Sequence, residues 1–280
     1  MESLATYQQR AVNALTPSYG ARESQNIVRF WLEVRGGFSR MDLVLRGTEE
    51  VELDWFDADL ERLIALEPVH YVVGCAYFME QLLEVNATTL VPRPETEELV
   101  RGMVDYISDA PVRTLVDVGT GSGCIALGIK LLRSAWEVTG IDVQAGAVAV
   151  AKRNAGAWGL EVGFKQQDVR SMDRLTEDVI VSNPPYIPRS EGVTMDKHVV
   201  GEEPDVALFV PDDQPLEYYE MILEKGTRMA PERSRYFGFE IHEDFGPEMV
   251  ELGHRYGLKN VELVPDLQGK DRMIFGRYDG

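Results

Sequence analysis

Cysteine is scarce: the 280 residues hold only Cys75 and Cys124, at no metal-ligand spacing. A disulfide scaffold is thereby excluded, and the pattern fits a reducing compartment. Long apolar runs are missing too, and none approaches the roughly 20 residues that cross a bilayer. The opening MESLATYQQR lacks the basic-then-apolar layout of a secretory leader. A cytoplasmic location with no membrane association is expected. Basic residues are few, 28 Lys and Arg against 47 Asp and Glu, for a formal net charge of −19. Residues 1–75 contain seven arginines, no lysine and twelve acids, a net of −5, which leaves −14 for the remainder. Neither part carries a basic stripe, so affinity built on phosphate neutralisation, and with it direct nucleic-acid binding, is not expected. A basic protein partner would suit this field, although acidity that only maintains solubility reads equally well. Repeats and low-complexity tracts are also absent, and the composition is that of an ordinary globular chain.

What is present divides into three parts. Residues 1–75 read as a small all-helical domain broken by Pro17, Gly20, Gly36–Gly37 and Gly47. Residues 76–92 read as a β-hairpin linker, with strands over Ala76–Val85 and Thr88–Val91 and a turn at Asn86–Ala87. From residue 93 to 280 a helix opens at PRPETEELV, and apolar strands then alternate with helices. The strands are TLVDV, EVTGID, VGFKQQD, DVIVSNPPY, RYFGFEI, VELVPDL and RMIFGRY. This alternation predicts an α/β fold with a mainly parallel, Rossmann-like seven-stranded sheet. The short QGKD turn between the last two strands requires that the final strand run antiparallel.

The densest constellation is TLVDVGTGSG, an apolar strand running through Gly119, Thr120, Gly121, Ser122 and Gly123 into a helix. Glycines admit positive φ and close approach of a ligand, and the helix start offers unpaired N–H donors. The next strand ends in Asp142, twenty-three positions beyond Gly119, where a carboxylate can accept both hydroxyls of an adenosine ribose. A dinucleotide fingerprint would need glycine at 124, where Cys124 stands. The tighter G-x-G-x-G form resembles class I S-adenosylmethionine-dependent methyltransferases, whose glycine turn holds the methionine end of the cofactor. Asp117 falls near the expected sulfonium, a reading compatible with its capping the glycine turn. Asp168, read as the end of the third strand, is a candidate acceptor for the adenine amino group, with Val169 beside the ring; a solvated strand-end acid is the plainer reading.

Asn183, Pro184, Pro185 and Tyr186 follow the fourth strand at the sheet's carboxyl edge, where open α/β sheets bind ligands. An amide nitrogen is a poor nucleophile because its lone pair is delocalised into the carbonyl. Two acceptors that grip its two N–H donors favour pyramidalisation toward the methyl carbon. The Asn183 side-chain oxygen and the Pro184 carbonyl suit that task, prolines hold the backbone in advance, and Tyr186 offers a flat face. No metal or covalent enzyme intermediate is required.

VPRPETEELV, VDVGTGSGCIAL, VSNPPYIP, EPDVALF and DLQGKDRMIFGRY together resemble the HemK/PrmC family, the glutamine methyltransferases of peptide chain release factors, over nearly the whole chain. The resemblance implies a helical substrate-docking domain, S-adenosyl-L-methionine as cofactor and the glutamine of the Gly-Gly-Gln loop of class I release factors as acceptor. It also implies that Gly119 to Gly123, Asp142, the position after Asp168 and Asn183 contact the cofactor, while Asn183 to Tyr186 hold the glutamine. A monomer is expected. The chain departs from the family pattern in three places: Val169 replaces a frequent aromatic, Glu80 stands where the hairpin often has glycine, and APERSR (230–235) replaces a glycine-rich turn.

Arg93, Glu95 and Glu97 read equally as site residues or as a plain helix start, where the dipole favours the two acids. His70 and Tyr71 read as packing, and Arg189–Glu203 as either a flap over the acceptor or a plain surface loop. Competing functions are an adenine-N6 DNA methyltransferase, which the charge disfavours, a ribosomal-protein glutamine methyltransferase, and a binding module that merely keeps the fold.

Overall fold

Ser3 starts the first helix by accepting the Thr6 N–H through its side chain, and the helical stretch runs over Leu4–Gly36. It is broken at Gly20, whose φ of 75° and ψ of 163° no helix admits, with Pro17 just before the break. Gly37 ends it in the left-handed conformation, donating to Glu33 O. Trp31, Leu32, Phe56 and Leu63 are fully buried, and the Trp31 and Phe56 rings stack at 4.8 Å. The Trp31 indole N–H finds Asp59 Oδ2 at 3.1 Å, so the polar edge of the largest core ring is satisfied. Met1–Cys75 form a compact unit of helices joined by turns, with one short antiparallel ladder, Glu2–Ser3 against Glu50–Val51. The computed structural model describes residues 1–107, 110–193, 203–229 and 234–280, so most of Arg189–Glu203 and of APERSR lies outside the described residues.

The hairpin differs from its sequence expectation. Its strands are Cys75–Phe78 and Gln81–Glu84, and its turn is Met79–Glu80, with φ of 48° and 64°. Two positive φ values make the mirror-image turn that matches strand twist, usually a task for Asn-Gly. Here tertiary contacts offset the local cost: Met79 is buried and its N–H donates to Glu97 Oε1 at 2.8 Å. The positive φ at Glu80 explains why glycine suits that position. Asn86 forms a separate turn in which Oδ1 accepts from Thr88 N and Thr88 Oγ1, which removes Thr88–Val91 from strand pairing.

In the second unit, from Ala76 onward, seven strands form one sheet. Their order is Lys259–Pro265, Asp271–Tyr278, Arg235–Glu240, Val179–Ser182, Thr114–Val118, Glu137–Asp142 and Gly163–Gln166. Asp271–Tyr278 runs antiparallel to both neighbours, and the other pairings are parallel. The central strands are apolar on both faces, as parallel strands between two helical layers must be. Leu115, Val179 and Val181 enter one core with the helices Pro94–Tyr106 and Cys124–Leu132. Val116, Val118 and Ile180 enter the other, with Tyr219 and Ile222 of Glu217–Thr227. Chain order reverses between Thr114–Val118 and Val179–Ser182, which leaves a crevice at their carboxyl ends.

Candidate active site

Register decides what meets in that crevice. Val118 pairs with Ser182 on one side and Ile141 on the other, so Gly119, Asn183 and Asp142 leave adjacent strands side by side. Gly119 N and Thr120 N both donate to Ile141 O at 2.9 Å, and the Ser182 hydroxyl donates to Val118 O at 2.6 Å. These bonds hold the strand ends level. A cavity of about 230 Å³ opens above them, walled by Gly119 to Ser122, by Asp142, by Asp168 and Val169, and by Asn183, Pro184 and Pro185.

Gly119 and Gly121 have φ of 74° and 54°, and a Cβ on either would meet nothing within 4 Å. A ligand can therefore lie against bare backbone there. Gly123, also at positive φ, is a packing requirement instead, since a Cβ would stand 3.1 Å from Ala151 and Phe164. Asp142 braces the turn: Oδ2 accepts Gly121 N at 2.9 Å, and Oδ1 accepts Gln144 N at 2.8 Å. A carboxylate has roughly four acceptor sites, so two backbone bonds leave capacity for ribose hydroxyls.

Asp117 lies beneath the turn rather than in the cavity wall. Its Oδ2 accepts from Thr120 Oγ1 at 2.5 Å and from Ala126 N at 3.2 Å, which makes it the brace between turn and helix. Its Oδ1 is buried with no hydrogen-bond partner among the described residues, and burial pushes the carboxyl up to about 7. Burial also raises Asp142 and Glu240. Each of these three acids binds its proton more tightly when folded than when unfolded. Folding stability should therefore fall as pH rises from the ordinary carboxylate range toward neutrality, by up to about 1.4 kcal/mol per pH unit for each proton involved. Acids held low by partners, such as Asp266 and Asp279, are already ionised in both states over that window and do not oppose the trend. The unfolding temperature is expected to drop between about pH 5 and about pH 7, and Asp117→Asn should flatten the decline. A rising or level profile in the unmodified protein would contradict the assignment.

Asp168 does not end the third strand, which stops at Gln166. It caps the 3₁₀ turn Val169–Ser171, its Oδ1 accepting Arg170 N at 2.8 Å. An aspartate that can bond the backbone two residues on competes with the sheet ladder, and here that local bond prevails. Asp168 nevertheless reaches the cavity wall.

Around the acceptor motif the structure adds residues that pattern reading passed over. Thr96 lines the cavity, between Glu95 and Glu97 in sequence. Its hydroxyl donates to Glu240 Oε2 at 2.7 Å and lies 3.4 Å from Asn183 Nδ2. Tyr186 is not in the cavity wall, and its hydroxyl donates to Glu240 Oε1 at 3.1 Å. Of the flanking charges, Arg93 pairs with Glu203 at 2.7 Å, and Glu97 holds the hairpin turn. His70 packs on Phe30, with ring centroids 4.8 Å apart. Among the described residues no His, Cys, Asp and Glu cluster could hold a metal, and no helix is long and apolar enough to cross a membrane.

Comparison with known proteins agrees with this geometry. Residues 7–74 match the PrmC N-terminal domain family, and residues 99–200 match the methyltransferase small domain family. A release factor glutamine methyltransferase of Flavobacterium psychrophilum is 34% identical over 279 residues, covering 97% of this chain and 98% of that protein. One from Bacteroides thetaiotaomicron is 36% identical over 236 residues, covering 83% of each. The hMettl16 catalytic domain, solved with an RNA hairpin, shares the fold at a TM-score of 0.55 and 16% identity, over 89% of this chain and 90% of that one. With that degree of likeness running end to end, the chain belongs to the release factor glutamine methyltransferase family.

Proposed function

We propose that this protein transfers a methyl group from S-adenosyl-L-methionine to the side-chain amide nitrogen of the glutamine in the Gly-Gly-Gln loop of class I peptide chain release factors. The observation that carries this reading is the placement of Asn183 and Pro184 in the wall of the cavity that also exposes the glycine turn and Asp142. Backbone from Gly119 to Ser122 would hold the methionine end, Asp142 the ribose, and Asp168 with Val169 the adenine. Bound there, the cofactor supplies a methyl group made electrophilic by its sulfonium. Asn183 Oδ1 and the Pro184 carbonyl accept the two N–H groups of the glutamine amide and turn its lone pair toward that methyl. Preset acceptors act where charge develops and need no reorganisation during the reaction. The amide nitrogen would gain the methyl as the sulfonium S–C bond breaks with its electron pair returning to sulfur, and one amide proton would then pass to water.

A lone glutamine side chain offers little binding surface, so choosing one glutamine in a protein needs contacts far from Asn183. Remote contacts of this kind orient the reacting group. Residues 1–75 are the candidate for them, as a docking domain, because every cavity-lining residue lies beyond them. Mass spectrometry tests both ideas. The full chain with cofactor and intact release factor is expected to add one methyl group to the loop glutamine. A chain starting at Ala76, shown by circular dichroism to be folded, should bind cofactor almost normally yet methylate at least about tenfold more slowly. Methylation elsewhere, or none, would refute the substrate assignment, and normal rates from the shortened chain would refute the docking role.

A further inference from the structure

The acceptor motif is oriented from outside itself. Glu240 ends the strand Arg235–Glu240, beside Val179–Ser182, and is 1% exposed. Its carboxylate faces two hydroxyls, Thr96 Oγ1 at 2.7 Å from Oε2 and Tyr186 Oη at 3.1 Å from Oε1. Tyr219 donates to its backbone carbonyl at 2.9 Å, which fixes the strand end. A threonine hydroxyl has a single proton. With that proton given to Glu240, Thr96 can only accept, and the group 3.4 Å away is Asn183 Nδ2. The NH₂ edge of Asn183 must then face Thr96, and Oδ1 must lie on the other side of the amide. Were Thr96 free to donate, the two ends of the Asn183 amide could exchange, and an NH₂ group would replace the acceptor.

We propose that Glu240 is a positioning residue for methyl transfer, acting through Thr96 to fix which end of the Asn183 amide is presented to the substrate while its other oxygen anchors Tyr186. This rests on the functional reading above, but the hydrogen-bond relay can be observed without turnover. Burial of the Tyr186 phenol raises its pKa, so it stays a donor at neutral pH. Glutamine at 240 would have to offer NH₂ to one of its two partners, and offering it to Thr96 reverses the relay.

The test uses the full chain as Glu240→Gln, Thr96→Val, Thr96→Ser and the Glu240→Gln/Thr96→Val pair. Thr96→Val and Glu240→Gln are each expected to slow single-turnover methylation by about tenfold to a hundredfold, with cofactor affinity within about threefold. Thr96→Ser keeps the hydroxyl and should stay near the wild-type rate. The double variant should lose no more than Thr96→Val alone, because both act through one relay. The unfolding temperature of Glu240→Gln should not fall, since a buried charge is removed; a purely structural role would lower it. In amide NMR of the substrate-free protein, the Asn183 NH₂ protons should show contacts to the Thr96 side chain that disappear in Glu240→Gln. A wild-type rate in Thr96→Val, additive losses, losses that track unfolding temperature, or unchanged Asn183 contacts in Glu240→Gln would each overturn the proposal. If Glu240→Gln fails to fold, the Thr96→Val and Thr96→Ser pair decides it. Wild-type protein that methylates no release factor while its Asn183 contacts respond as described would overturn only the functional reading.

Discussion

Replacement of Asn183 by alanine is expected to lower methyl transfer by about 10²–10³-fold, with the fold intact. Alanine removes the side-chain acceptor and leaves the glutamine amide with one grip instead of two. An amide held at one N–H can keep its planar, delocalised geometry, so the penalty falls on reaching the transition state rather than on the amount of protein bound. The loss should accordingly appear in the rate at saturating cofactor and release factor. Asn183 is only partly buried and its described side-chain bond is a long one to Thr96, so circular dichroism and unfolding temperature should change little. Single-turnover methylation within tenfold of wild type would remove Asn183 from the reaction.

Replacement of Asp142 by alanine should weaken S-adenosylmethionine binding by about 10- to 150-fold, the equivalent of 1.5–3 kcal/mol for hydrogen bonds to a charged acceptor. Two effects combine. The ribose hydroxyls lose their carboxylate, and Gly121 N and Gln144 N lose the acceptor that holds the glycine turn in shape. Isothermal calorimetry measures the sum. Unchanged affinity would mean that the ligand lies along a different wall of the cavity.

Legibility from sequence followed the range of the interactions concerned. The turn from Gly119 to Gly123 joins a strand to the helix directly after it, so its signal is local and complete. The seven strands were legible because apolar blocks of that length, alternating with helical ones, have few other uses. The hairpin turn was not, because positive φ at Met79 and Glu80 is stabilised by Glu97 and by burial of Met79, which no nearby residue announces. Asp168 was displaced from its strand by a two-residue hydrogen bond that a hydropathy pattern cannot register. Thr96 and Glu240 lie 144 positions apart and become a pair only when the helix start is laid against the sheet. Glu240 carried one faint sign, a carboxylate closing an apolar strand at the ligand-binding edge.

The placement of Asp271–Tyr278 bears on how the protein is made. Though last of the seven strands in chain order, it sits inside the sheet, and its Met273 pairs with Glu240. While the ribosome is still adding residues 241–278, the strand that carries Glu240 has a neighbour on one side only. At ordinary elongation speeds this half-open state lasts roughly 2–8 s. An unpaired strand edge in a nascent chain invites mispairing with other chains. The same interval delays assembly of the acceptor site, since the strand behind it gains its second partner only when residues 271–278 are in place.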